Sequence, residues 1–128
     1  MGVGQRLEID SAGTAADVGF DIDRRARLVL ERRGYETDHH RARQFESSWF
    51  SERDLVIALD GGHLRYLRSR ASKSADADRV RLLLSFPAGR TRRSLDIPDP
   101  YVGDEQVFES CLDLVQEGCA GLLSELAL

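Results

Sequence analysis

Six consecutive residues near position 100, Asp96-Ile97-Pro98-Asp99-Pro100-Tyr101, carry the most chemistry for their length. Two prolines bracket Asp99. Each fixes its own φ and drives the residue before it out of the helical region. The result is a rigid mount for one carboxylate, with an aromatic ring two residues on. A carboxyl group held in this way can act as a general acid beside a ring that walls a substrate slot. The plainer reading is a turn leading into the last helix, and spacing alone favours it.

Other reactive side chains are sparse. His39, His40 and His63 are the only histidines, and Cys111 and Cys119 the only cysteines. A zinc site wants three or four ligands at recognisable spacing. Adjacent histidines followed by Arg41, and cysteines eight apart, do not supply it, so no metal or other cofactor is expected. The cysteines read as small core residues on the inner face of one helix, both buried and inert. Arg24, Arg25, Arg27, Arg32 and Arg33 make another helix strongly basic. They form either a solvated face balanced by acids elsewhere or a small patch for an anionic partner.

These groups sit on a chain of 128 residues, enough for one domain with one real core. No apolar run of about 18 residues exists, so no membrane span is expected. Arg6, Glu8 and Asp10 interrupt the first ten residues, which reads against a secretory leader. With 18 basic and 22 acidic residues the net charge is −4, which argues against general nucleic-acid binding. Two cysteines are too few for a disulfide scaffold and fit a reducing, cytoplasmic setting.

The elements that would position the chemistry alternate along the chain. Residues 6–10 alternate Leu7 and Ile9 with charges, the pattern of a strand with one buried face. Residues 23–33 put Ala26, Val29 and Leu30 on one helical face, with Asp23 as N-cap and Gly34 just past the end. Residues 55–59 (LVIAL) are continuously apolar, as a parallel strand covered on both faces should be. Asp60 then caps a helix over residues 61–69. Residues 69–78 read as a loop, residues 80–84 as the next strand, and residues 85–100, which hold all three prolines, as a second loop. Residues 104–126 close the chain as a long amphipathic helix. Strands alternating with helices mean a parallel sheet with right-handed crossovers, an α/β fold. Ligands of such sheets sit outside the carboxyl ends of the strands, which selects residues 11–13, 60–62 and the segment leading to Asp99.

Four stretches in order give the chain a family resemblance: Asp10-Ser11-Ala12-Gly13-Thr14, His40-Arg41-Ala42-Arg43-Gln44, residues 54–60, and Asp99-Pro100-Tyr101 followed by Gly103 and Phe108. Together they resemble the low-molecular-weight protein tyrosine phosphatases from residue 7 to residue 126. The resemblance implies a three-layer α/β/α fold. It matches Asp99 to the general acid and Tyr101 to the slot wall, and Ser11 and His40 to residues that brace the phosphate loop. The substrate it implies is a phosphotyrosine protein.

The family's centre is a Cys-x5-Arg-Ser loop between its first strand and first helix. Backbone N–H groups there cradle the phosphate, the cysteine attacks as a thiolate, and the arginine clamps the oxygens. This sequence has no cysteine before position 111. Six residues after Cys111 stands Glu117, and six after Cys119 stands Glu125. Gly2-Val3-Gly4-Gln5 resembles the turn that follows the family's first helix, so the resemblance implies that the first strand, the loop and most of that helix are missing. Asp23-Arg24-Arg25 stands where relatives read Asp-Pro-Arg, and Val102 where many carry a second tyrosine. The segment 15–23 is slightly short and lacks an aromatic residue.

Four functional expectations follow. The chain is a family member unable to perform the reaction, an incomplete form of a working phosphatase, a non-catalytic binding protein on the same fold, or an arsenate-reductase-like variant. The last needs thiolates that the helix-borne pair is badly placed to supply. The gap left by a missing central strand and helix would expose backbone and apolar surface, and a two-fold homodimer is expected to cover them.

Overall fold

The computed structural model describes residues 7–14, 19, 21–38, 40–86, 95–98 and 104–126. Its centre is a parallel pair of short strands, β1 (Val56–Ala58) and β2 (Val80–Leu82), in the register Val56 to Val80, Ile57 to Arg81 and Ala58 to Leu82. Parallel neighbours need a crossover rather than a hairpin. Here it consists of α2 (Gly61–Arg70) and the short α3 (Ser74–Asp78).

The run at 55–59 is apolar throughout because β1 is covered on both faces. Val56 and Ala58 join a core with Phe50, Leu67 and Val80, into which α2 packs. Ile57 points the other way, against a second core of Leu83, Leu84, Ile97 and Cys111. The helix over that second core is α4 (Glu105–Leu126), which also packs on α1 (Arg24–Arg32). Helices therefore lie on both sides of a parallel sheet, the α/β architecture expected from the alternation of elements.

Local chemistry sets the helix ends. Asp23 accepts the N–H of Arg25 at 2.8 Å, and past the end of α1 Gly34 takes φ +84°, which a side chain would oppose. Asp60 accepts the N–H of His63 at 2.7 Å and caps α2. The arginines of α1 and its C-cap residue Arg33 are mostly balanced by acids. Arg33 reaches Glu109 and Asp113 of α4 at 2.8 and 2.9 Å, and Arg32 reaches Glu105 at 2.8 Å. Arg27 holds Asp21 at 2.8 Å, so this face is largely spoken for within the chain.

Three expectations need correction. Residues 7–10 form no strand, and Ile9 is 80% exposed; an alternating pattern makes a strand only where a neighbour pairs with it. The parallel pairing occurs farther on, as a bridge between Gly13 and Gln44. Residues 69–78 are not all loop, since Ser74–Asp78 coil into α3. The second strand stops at Leu82 rather than at 84. There the Ser85 hydroxyl donates to the Leu82 carbonyl at 2.6 Å and the chain turns into a 3-10 segment, Leu83–Ser85. A second 3-10 segment, Ser47–Glu52, brings Trp49 and Phe50 against Phe45.

Helix α4 lies tightly against the 3-10 segment that follows β2. A Cβ added at Gly118 would fall 2.5 Å from Cγ of the buried Leu83. Gly118→Ala gains helix propensity of up to about 1 kcal/mol but overpacks a rigid contact at about 1–3 kcal/mol. A lower unfolding midpoint in urea is the expected result; an unchanged or raised midpoint would contradict this packing.

Candidate active site

The carboxyl end of β1 is where three elements converge. Ile97 donates its N–H to the Leu59 carbonyl at 2.8 Å, and Gly61, the first residue of α2, donates its N–H to Asp96 Oδ1 at 2.7 Å. The Cys111 thiol of α4 donates to the Pro98 carbonyl at 3.0 Å. Asp60 and His63 stand beside them, with Asp60 Oδ1 3.6 Å from His63 Nδ1. That is too long for a hydrogen bond. An apolar groove of about 370 Å³ opens between α1 and α4 here, lined by Val29, Leu30, Leu59, Ile97, Phe108 and Leu112 among others. Pro98, Asp60, His63 and Cys111 also face it.

Asp99 and Tyr101 lie outside the described residues, which stop at Pro98 and resume at 104. Ser11 and His40 are both exposed, on stretches near the bridge that runs Gly13 beside Gln44. Each accepts a hydrogen bond through its backbone carbonyl. The Ser11 carbonyl accepts from Arg43 at 3.0 Å, and the His40 carbonyl accepts from Arg41 at 2.6 Å. Asp60 follows β1 and serves as the cap expected of it.

Cys111 is buried, as anticipated, but Cys119 is exposed. Eight residues along a helix is two turns plus roughly 80° of rotation, so the two thiols do not share a stripe. Partial burial still pushes the Cys119 thiol above its ordinary value. Among the described residues no group of three His, Cys, Asp or Glu side chains could hold a metal ion. No helix among them is long and apolar enough to cross a membrane.

One constellation was not visible in the sequence. The Asp10 carboxylate is gripped by Arg53, with Arg43 at 3.6 Å, and both guanidiniums lie over the Trp49 ring at 4.5 and 5.4 Å. The Arg53 hydrogen bond, ahead of the Coulombic pull of the two arginines, holds the Asp10 carboxyl below its ordinary value. This clamp fastens the segment that carries Ser11. A depressed carboxyl pKa stabilises the fold above the ordinary aspartate value and ceases to do so as pH falls through the lower, folded value. Fluorescence of Trp49, the single tryptophan, is therefore expected to stay flat until the pH drops below about 3.8. Asp10→Asn should give the altered emission already at neutral pH. A transition between pH 5 and 6, or an unaltered Asn variant, would contradict the clamp.

A family model for low molecular weight phosphotyrosine protein phosphatases matches residues 1–128. The chain belongs to this family. It is 48% identical over 124 residues to a low molecular weight protein-tyrosine-phosphatase of Streptomyces coelicolor, a match covering 96% of this chain and 75% of that one. Identity to the low molecular weight protein-tyrosine phosphatase A of Mycobacterium tuberculosis is 39% over 122 residues, covering 94% and 72%. Among solved structures, the tyrosine phosphatase Wzb of Escherichia coli K30, crystallised with sulphate, superposes with a TM-score of 0.80 at 27% identity, covering 93% of this chain and 78% of that one.

Open α/β sheets generally take their ligands outside the carboxyl ends of the strands, which is where the convergence at β1 lies. The present chain brings the carboxylates of Asp60 and Asp96 there. Both cysteines lie on α4, followed six residues later by Glu117 and Glu125. The Cys111 thiol is engaged as a donor to Pro98.

Proposed function

We propose that these 128 residues carry the acid, slot and support portion of a phosphotyrosine phosphatase, and that as this polypeptide they do not hydrolyse phosphomonoesters. In this reading Asp99 is the general acid that protonates a leaving phenolate and then activates water. Tyr101 walls the slot for a phosphotyrosine side chain of a protein substrate, and Ser11 and His40 brace a phosphate loop. The carrying observation is that neither cysteine opens a Cys-x5-Arg sequence. Without a thiolate, no phosphocysteine forms; without the loop's N–H groups and arginine, no cradle holds the phosphate. The same residues would serve an active enzyme if a segment with that loop were joined to them. No cofactor enters either version, and two cysteines outside any disulfide agree with a reducing, cytoplasmic setting.

Calorimetry with vanadate or inorganic phosphate tests the missing cradle. No heat of binding is expected at millimolar anion. Saturable binding would mean that another set of donors forms an anion site, and the reading would fail.

Association into a two-fold dimer belongs to the same reading. The open apolar groove, together with Leu59 and Val107 at 40% and 37% exposure, supports it. Light scattering at micromolar concentration should give twice the chain mass of 14.3 kDa. A compact monomer that unfolds cooperatively would refute it.

A further inference from the structure

We propose that the outer face of α2 is a docking surface for an acidic, extended segment of a protein partner. Residues 61–73 hold no aspartate or glutamate, yet Arg65, Arg68, Arg70 and Lys73 all stand exposed there. The whole chain is acidic, at net charge −4, so this stretch departs from its surroundings. Elsewhere arginines are drawn into ion pairs, as Arg27 is with Asp21, Arg33 with Glu109 and Arg81 with Glu125. None of the four cations on this face has a carboxylate partner among the described residues. Arg24 shares that condition, but it stands singly at the start of α1. Two contacts hold these side chains without neutralising them. Arg68 donates to the Val80 carbonyl at 3.0 Å, and Arg70 lies over the Tyr66 ring at 5.0 Å. The helix dipole accounts for Arg68 and Arg70 in the last turn, but not for Arg65 in mid-helix.

Length and chemistry select the partner. Ten residues of helix rise about 15 Å, the span of four or five extended residues. Cations spaced along that distance complement a short run of carboxylates. A lipid surface fits less well. The large apolar side chains exposed among the described residues, Ile9, Tyr35, Leu59, Val107 and Leu123, all lie off α2, so this face has nothing to insert into a bilayer. A nucleic acid fits less well too, because a longer track of phosphates meets a chain of net negative charge. The surface begins where β1 ends. Arg65 Nη1 lies 3.2 Å from where a Cβ would stand on Gly61, and the Asp96 carboxylate nearby accepts the Gly61 N–H. A segment lying along α2 therefore has one end at the convergence after β1. Docking there needs none of the roles given to Asp99 and Tyr101.

Two-dimensional NMR of the full 128-residue chain, titrated with pentaglutamate at low salt, tests this directly. Amide shifts are expected at Arg65, Ser69, Arg70 and Lys73, saturating together, with none at Arg24. They should vanish in about 1 M salt, where screening acts within about 3 Å. Exposed ion pairs are individually weak, so Arg65→Gln and Arg70→Gln should each weaken binding about two- to fivefold. Glutamine sustains a helix nearly as well as arginine, so both variants keep the fold. Arg24→Gln removes the same charge and should leave binding unchanged. Shifts centred elsewhere, equal weakening by Arg24→Gln, or no saturable shift would each overturn the proposal. So would tighter binding of a thymidylate oligomer of the same length or of phosphatidylserine vesicles, which would make this a nucleic-acid or a lipid surface instead.

Discussion

Incubated with an aryl phosphate such as p-nitrophenyl phosphate, the purified chain is expected to release phenolate no faster than buffer. Enzymes of this kind accelerate their reactions by about 10⁶-fold or more, whereas a lone general acid contributes about 10²–10⁴-fold. In the proposed reading no phosphate is held beside Asp99, so even that factor goes unused. Nor can the cysteines substitute. The Cys111 thiol donates to Pro98, and the Cys119 thiol is pushed up, which lowers the fraction of reactive thiolate at neutral pH. Activity that follows the protein through purification and disappears in Asp99→Asn would contradict this result.

Leu84→Ala carries the largest expected effect on stability. Leu84 is 1% exposed and packs with Leu83, Ile97 and Cys111 between the sheet and α4. Truncating a leucine in such a site costs about 2–5 kcal/mol, depending on how far the surroundings collapse. Against a whole margin of about 5–15 kcal/mol this is a large fraction. Urea unfolding should show the midpoint falling steeply with little change in slope. A loss below about 1 kcal/mol would mean that α4 is not seated on this core.

What could be read from the sequence was whatever depends on near neighbours along the chain. Asp23, Gly34 and Asp60 mark helix ends because caps are local hydrogen bonds, and all three do so in the structure. The apolar run around Ile57 identified a strand buried on both faces, and its alternate residues do go to opposite cores. Residues 6–10 show the limit. Alternation is a preference that a pairing partner must complete, and none completes it over residues 7–10. Cys119 was misplaced because a stripe read by whole turns ignores the rotation that accumulates over eight residues. The Asp10 clamp joins residues 43 apart, and Arg33 reaches Glu109 across 76. Nothing in either local pattern announces such a partner. The tethers on residues 96–98 were equally hidden, although Asp96 stands two residues before a proline, where a fixed backbone was already implied.

The most direct test of the account is to join a strand, a Cys-x5-Arg-Ser loop and a helix ahead of residue 7, and to compare hydrolysis with that of the 128-residue chain. Turnover that rises by several orders of magnitude, and falls about 10²–10⁴-fold again in Asp99→Asn, is the predicted result. A completed, folded chain that stays at the buffer rate would show that residues 7–126 do not carry the acid, slot and support of a phosphotyrosine phosphatase.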